Sequence, residues 1–339
     1  GNPLVFLYFL FMPSSTESFD ARPQVQPALD PVFRPAATWN RAFGEHVAAS
    51  GDPVPIRFAL EQSEESIFCH DAEILPPQHP QSELNFRFAE RLLKFLLWSR
   101  GGHRIYFDGP LKLGEALRSH FEDTATGRFD ADFMATVYQR PFEVLLSKDL
   151  PSEQSAARQL GRHLEGCRIG FDLGGSDRKV AAVVDGEVIF SEETTWDPYY
   201  EKDPSYHREG IADSLKRAAT HLPQVEAIGG SSAGVYVENQ PRVASLFRGV
   251  SEELFDSEVK PIFRNLAKEW DVPFEVINDG DVTALAGSMS LGENAVLGLA
   301  MGTSEATGYV NAEGKVTTWL NELAFAPVDY AKEAPADEW

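Results

Sequence analysis

The residue types that phosphate chemistry needs come together in one eight-residue run, DLGGSDRK, at residues 172–179. Apolar residues flank the run on both sides, which predicts a strand, a tight turn and a second strand. Because Gly174 and Gly175 have no Cβ, their backbone N–H groups can approach a phosphate, and the Ser176 hydroxyl can donate a further hydrogen bond. Asp172, at the end of the first strand, can hold a hydrated Mg²⁺.

The same run has a purely structural interpretation. Two glycines between apolar strands are typical of a tight β-hairpin, and a hairpin needs no ligand. The run alone leaves both interpretations open.

Strands and helices alternate after residue 166. The predicted strands are 168–173, 179–185, 187–193, 225–229, 274–278, 295–301, 306–311 and 315–319, and the predicted helices are 208–221, 252–270 and 281–291. The first five strands predict a mixed sheet covered by helices on both faces. The last three predict the start of a second lobe, which also opens with a glycine and hydroxyl turn at 302–304. A cleft between the two lobes is expected.

Residues 1–165 predict an α+β domain of their own. A proline-rich segment at 13–35 predicts an extended cover, and a long apolar pattern at 83–99 predicts a helix, followed by a strand at 103–107 and a helix at 111–121.

Basic residues cluster around the long helix. They are Arg87, Arg91, Lys94, Arg100, His103 and Arg104. Helical spacing places several of them on the solvated face, opposite the apolar one. A binding role is the alternative.

Composition excludes several classes of protein. A chain of 339 residues with 43% hydrophobic content can form two or three domains with real cores. Its formal charge of −22 argues against a nucleic-acid partner, and a small anionic ligand would need a local positive site. Cys69 and Cys167 form no CxxC pair, so neither a disulfide framework nor a cysteine zinc site is expected. A reducing cytoplasm is the expected location.

The apolar run at residues 3–12 is too short to span a bilayer and has no basic segment before it. It predicts a buried strand, and no membrane partner is expected. The remnant of a signal segment is the alternative, because the chain begins with Gly1.

Four motifs, in order and spacing, resemble the ROK family of sugar kinases and repressors, which has the actin-like, sugar kinase and Hsp70 ATPase fold. They are DLGGS with Lys179, Asn278-Asp279, Met301-Gly302-Thr303, and the segment NELAFAPVD at 321–329. The resemblance covers about residues 166–330. It implies an α/β protein with a ribonuclease H-like (actin-like ATPase) lobe at 166–292 and an incomplete second lobe at 293–339. The accessory α+β domain at 1–165 that precedes them lies outside the usual plan of the family.

The resemblance also implies a role for each matching position. Asp279 is implied to be the general base of a sugar kinase, and Asn278 and Glu322 are implied to bind the sugar. Residues implied to bind the phosphates of ATP are Gly174, Gly175, Ser176, Lys179, Gly302 and Thr303, and Asp172 is implied to hold Mg²⁺. Asn278-Asp279 is equally typical of a helix N-cap, and Glu322 of a surface charge.

The chain departs from the family at several positions. Its second phosphate loop keeps two of four glycines, and Glu305 adds a negative charge there. Phe325 stands where the family has a histidine, and no cysteine cluster follows, so the family's zinc is not expected. Asp281 replaces an asparagine, and a second carboxylate nearby can raise the pKa of Asp279 or recruit a cation.

These observations predict a sugar kinase-like protein that phosphorylates a hexose hydroxyl with ATP and Mg²⁺. A non-catalytic sugar-binding or regulatory protein is the alternative, and a DNA-binding repressor is opposed by the acidic charge. Because the chain stops after three strands of the second lobe, it is expected to be a fragment that does not turn over ATP alone. The apolar helix face at 86–97 could seal against the kinase-like lobe or against a second subunit of a homo-oligomer.

Overall fold

The computed structural model describes Phe19, residues 21–301, 305–332 and Ala334. The strand predicted at residues 3–12 lies outside the described residues. Within them, none of the helices combines the length and the apolar character needed to cross a membrane.

The first unit is a sheet packed against helices. In chain order its elements are α1 (Ala36–Ala49), β1 (Val54–Ser63), β2 (Ser66–Ile74), α2 (Leu84–Arg100), β3 (Arg104–Asp108), α3 (Leu111–Asp123), α4 (Ala125–Tyr138) and β4 (Glu143–Leu146). The sheet order is β2-β1-β3-β4, with β3 and β4 parallel and the other pairs antiparallel. Its core buries Phe43, Phe58 and Trp98 completely. The α+β pattern predicted from the sequence is therefore present.

Most of the basic residues around α2 have partners. The ion pairs join Lys94 to Asp130 at 2.6 Å, Arg91 to Glu90 at 2.8 Å, and Arg104 to Glu143 at 3.0 Å. Arg100 stacks on Trp319 instead, with its guanidinium carbon 3.5 Å from the ring centroid. These basic side chains therefore make contacts within the first unit and, through Trp319, with the segment that follows the second sheet.

The second unit contains a five-stranded sheet. Its elements are β6 (Cys167–Leu173), β7 (Asp177–Val184), β8 (Glu187–Thr195), α5 (Pro204–Ala219), β9 (Ala227–Ser232), β10 (Val235–Val237), β11 (Gln240–Val243), α6 (Glu252–Leu254), α7 (Ile262–Trp270), β12 (Phe274–Asn278) and α8 (Asp279–Leu291), and β5 (Ala157–Arg158) precedes them. The sheet order is β8-β7-β6-β9-β12, with β7 alone antiparallel to the rest. This is the ribonuclease H-like arrangement that the resemblance implied, so the predicted fold class is confirmed.

Two predicted features of this unit are wrong. The helix predicted at 252–270 is interrupted by a π turn at Phe255–Val259 and by Pro261, which cannot donate a helical N–H. The sheet was predicted to be covered on both faces. The side chains of α5 and α7 cover one face, and the other face lines a cavity of about 1190 Å³.

A second sheet follows α8. It consists of β13 (Val296–Met301), β14 (Glu305–Val310) and β15 (Val316–Thr317), and β5 joins it in the order β13-β14-β15-β5. The three predicted strands are present, and α8 packs against β13 and β14. The connection before the central sheet thus contributes an edge strand to this sheet.

The chain then returns to the first unit. The N–H of Asn321 donates to the last turn of α2 at 3.1 Å, and the ring of Phe325 stacks on Trp98 with a centroid distance of 4.2 Å. Tyr330 is 2% exposed within the core of the first unit. This segment therefore fixes Glu322, which lies between these anchors, relative to both units.

Candidate functional site

The carboxyl ends of three parallel strands meet at one edge of the central sheet. The register pairs Asp172 of β6 with Ser231 of β9, and Ser231 with Ile277 of β12. Asp172 and Asp279 therefore lie at the same sheet edge, two strands apart, and both line the 1190 Å³ cavity. Such an edge is where open α/β sheets bind ligands.

The turn after β6 leaves two backbone donors unused. The N–H of Gly174 donates to the carbonyl of Asp177 at 2.9 Å, and the indole of Trp196 donates to the carbonyl of Gly174 at 2.8 Å. The N–H groups of Gly175 and Ser176 donate to none of the described residues. Two adjacent N–H groups of this kind can bind an anion.

Tyr199 covers one side of this turn. A Cβ added to Gly175 would overlap the Tyr199 hydroxyl, so any larger residue at this position requires the Tyr199 side chain to move. The guanidinium of Arg248 lies 4.0 Å from the centre of the Tyr199 ring. No pattern in the sequence indicated Tyr199, Trp196 or Arg248, because they lie outside the motif, at least 17 residues after it.

Lys179 lies beside Asp172 on the neighbouring strand. Its ammonium donates to Asp177 and lies 3.9 Å from a carboxylate oxygen of Asp172. The hydrogen bond to Asp177 raises the pKa of Lys179, and the same bond lowers the pKa of Asp177. The lysine therefore stays charged, and two carboxylates hold it next to the turn.

Asn278 is the N-cap of α8. Its side-chain oxygen accepts from the Gly280 N–H at 2.7 Å, and its amide nitrogen donates to the Gly234 carbonyl at 2.8 Å. The capping interpretation of this pair is therefore present in the structure. The amide still has one N–H that bonds to no described residue.

Asp279 is the first residue of α8, half-buried at the sheet edge. Burial raises the pKa of its carboxyl, and the charge of Asp172 raises it further, against the opposing effect of the Gly280 N–H. A carboxylate with a raised pKa accepts a proton more readily at neutral pH.

Two more carboxyl groups lie close to Asp279. Burial raises the pKa of Asp281 to about 7, although Asn321 donates to it at 3.4 Å. Burial and then the charge of Asp279 raise the pKa of Glu322 to about 7. Asp279, Asp281 and Glu322 thus form a carboxyl cluster that holds protons more tightly than exposed carboxylates do.

No group of three or more His, Cys, Asp or Glu side chains in the part of the chain that the structure describes is placed to hold a metal ion. A metal bound mainly by phosphates and water, with one carboxylate, needs no such group.

Two glycine contacts fix the position of this cluster. A Cβ on Gly308 of β14 would overlap the Gly280 carbonyl and the Cα of Asp281, and a Cβ on Gly298 of β13 would overlap the backbone of Ala284. The first turns of α8 therefore rest directly on the backbone of the second sheet, which places Asp279 and Asp281.

The carboxyl cluster makes stability depend on pH. The pKa of Asp281 is about 7 in the folded chain against an ordinary value of 3.8, so between these values the folded state holds the proton more tightly. The free energy of unfolding then falls as pH rises through this window. We expect Asp281→Asn to stabilise the protein more at pH 8 than at pH 5, measured by urea denaturation.

The matched control is Asp256→Asn, at an exposed carboxylate paired with Lys260. Its effect on the free energy of unfolding should be the same at both pH values. An equally constant effect of Asp281→Asn would contradict the prediction.

The remaining site residues predicted from the sequence are Gly302 and Thr303, which lie outside the described residues. Their phosphate-binding role stays a prediction. Phe325, which replaces the histidine of the family motif, packs on Trp98 and belongs to the core of the first unit.

No protein-family model matches this sequence, and no curated protein matches it. Several solved structures do resemble the fold. A ROK hexokinase from Thermus thermophilus has a TM-score of 0.35 and 20% identity, over 44% of this chain and 47% of that chain. A glucokinase from Parabacteroides distasonis has a TM-score of 0.35 and 15% identity, over 45% and 46%.

A ROK family transcriptional regulator, a homologue of the E. coli MLC protein, has a TM-score of 0.35 and 16% identity, over 61% of this chain and 48% of that chain. The chain spans about half the length of each of these three structures. The strand order defines a ribonuclease H-like lobe. ROK sugar kinases and a ROK regulator are among the solved structures similar to it, and at this level the likeness says nothing about substrate or activity.

Proposed function

We propose that the full-length protein to which this chain belongs is a ROK-type sugar kinase-like protein that transfers the γ-phosphoryl group of ATP to a hexose hydroxyl. The observation that carries the proposal is the half-buried Asp279 at the carboxyl edge of the central sheet, with a raised pKa and in the same cavity as Asp172. Phosphoryl transfer needs a general base and groups that position the phosphates. Asp279 would act as the base, and Asp172 would position the phosphates.

The chemistry assigns a task to each side chain. The Asp279 carboxylate accepts the proton of the attacking hydroxyl. The remaining N–H of Asn278 donates to a neighbouring sugar hydroxyl, and Glu322 accepts from another. Because the pKa of Glu322 is about 7, sugar binding through its ionised form strengthens as pH rises through that value.

Phosphate and Mg²⁺ would be held at the turn after β6. The N–H groups of Gly175 and Ser176 face no described acceptor, and the Asp172 side chain is 43% exposed, so both fit a hydrated Mg²⁺-phosphate group. The cation supplies charge neutralisation on the phosphate oxygens. Lys179 adds a positive charge beside it, and Gly302 and Thr303 would bind phosphate from the second loop. No zinc is included in the proposal.

A non-catalytic sugar-binding protein is the second candidate. The observation that favours it is Tyr199, whose hydroxyl lies over Gly175 and restricts approach to the turn from that side. Asp172 and Asp177, the carboxylates that pair with Lys179, also disfavour nucleotide binding at the turn, since their negative charges repel ATP.

The setting of the proposed function is the cytoplasm. The thiols of Cys69 and Cys167 are both free, and free thiols are typical of proteins in a reducing compartment. The proposed partner is a small sugar, and neither a nucleic acid nor a membrane is part of the proposal. Phe86 and Phe95 of α2 are exposed apolar side chains that could form the contact of a homo-oligomer.

Calorimetric titration tests the proposal. Glucose, mannose and N-acetylmannosamine are titrated into the protein, with and without ATP and Mg²⁺, and sugar phosphate is measured by mass spectrometry. Saturable binding of a hexose and of nucleotide, with product, supports the kinase. Hexose binding without nucleotide binding supports the second candidate, and absence of binding by every sugar contradicts both.

A further inference from the structure

A second cavity, of about 400 Å³, lies in the first unit, away from the site described above. Its walls come from the segment before α1, the first turn of α2 and the segment after Tyr330. Trp39, Phe19 and Leu84 form apolar parts of the wall. A cavity of this size suits a small organic molecule.

Four basic side chains also line the cavity: Arg22, Arg34, Arg87 and Lys332. They come from three separate segments of a chain whose net charge is −22. Only Arg87 belongs to α2, so the four basic side chains do not come together simply as the solvated face of one helix. Folding has concentrated positive charge in an acidic protein.

Arg87 lies in the first turn of α2. Within the described residues its guanidinium makes no hydrogen bond or ion pair, whereas Arg91, one turn further along α2, pairs with Glu90 at 2.8 Å. Burial lowers the pKa of Arg87, and the nearby charge of Arg91 lowers it further. No carboxylate among the described residues is hydrogen-bonded to this half-buried guanidinium.

The nearest carboxylates do not neutralise the group. Asp329 and Glu90 both attract Arg87, but an oxygen of Asp329 accepts from the N–H groups of Arg34 and Ala331, each at 2.8 Å, and Glu90 is paired with Arg91. Of the Arg34 guanidinium, only Nη1 is engaged among the described residues, with the carbonyls of residues 32 and 33. Donors for a further anion therefore remain.

We propose that this cavity binds a small organic phosphate monoester. A guanidinium group binds two of the three terminal oxygens of a phosphate monoester in a forked arrangement, and Arg87 and Arg34 can supply such forks. The apolar wall at Trp39 and Phe19 receives the organic part of the ligand. The inference does not depend on kinase activity at the other site.

Calorimetric titration with glycerol 3-phosphate, inorganic phosphate and glycerol tests the proposal. We expect saturable binding of glycerol 3-phosphate, weaker binding of inorganic phosphate and none of glycerol. Arg87→Gln should weaken glycerol 3-phosphate binding about tenfold, as expected for the loss of one charge-assisted hydrogen-bonding group. Lys332→Gln changes an exposed side chain, so it should also weaken glycerol 3-phosphate binding and leave folding unaffected.

The control is Arg57→Gln, at an exposed arginine paired with Asp71 on the edge of the first sheet. It removes the same charge outside the cavity and should leave the affinity unchanged. Three outcomes overturn the proposal: no saturable binding of either phosphate, binding that survives both cavity substitutions, and an equal loss in the control. Binding that survives belongs to another site, such as the turn after β6.

Discussion

In the full-length protein, Asp279→Asn is expected to lower the rate of phosphoryl transfer about 10²–10⁴-fold, which is the usual contribution of a general base. Asparagine has the same shape but cannot accept the hydroxyl proton. Sugar binding should persist, because Asn278 and Glu322 remain in place. Stability should not fall, since the charge of Asp279 raises the pKa of Glu322 and is itself opposed by Asp172.

A coupled assay of sugar phosphate formation measures the rate, and calorimetry measures hexose affinity. Asp256→Asn, at an exposed carboxylate paired with Lys260, is the control and should behave like the unsubstituted protein. A variant at Asp279 that keeps its full rate excludes this residue as the base. A loss of hexose binding equal to the loss of rate would assign Asp279 to binding instead.

Local elements were predicted well where the apolar pattern was periodic and its ends were marked. The strand predicted at 274–278 matches β12 residue for residue, and the helix predicted at 281–291 begins at Asp279 because Asn278 caps it. The helix α4 was missed, although Thr124 accepts from the Gly127 N–H at 3.0 Å as an N-cap. Threonine is a favoured N-cap residue, so Thr124 could have predicted the start of this helix from the sequence.

The surroundings of the site depend on contacts that sequence spacing does not encode. Tyr199 covers Gly175, and Trp196 donates to Gly174, only because β8 and the segment after it pass over the turn. Asn321 reaches Asp281 because the chain returns to α2 after the second sheet. Motifs predicted the candidate site residues, and tertiary packing shifts the pKa values of Asp279, Asp281 and Glu322.

The close packing of α8 on the second sheet gives the other large expected effect. Gly308→Ala places a methyl group against the Gly280 carbonyl and the Cα of Asp281, which are main-chain atoms that cannot rotate away. We expect the free energy of unfolding to fall by about 3 kcal/mol, at the upper end of overpacking costs. Hexose affinity should fall as well, because the first turn of α8 carries Asp279.

Gly287→Ala is the matched control for this change. Gly287 lies in the same helix, and a Cβ there would meet only Val296 at 3.8 Å, an ordinary contact. Replacing a glycine by alanine inside a helix stabilises by about 0.5–1 kcal/mol, so this variant should be slightly more stable than the unsubstituted protein. Urea denaturation separates the two substitutions. If both shift stability by the same amount and sign, α8 does not rest on the backbone of β14, and the position of Asp279 has another cause.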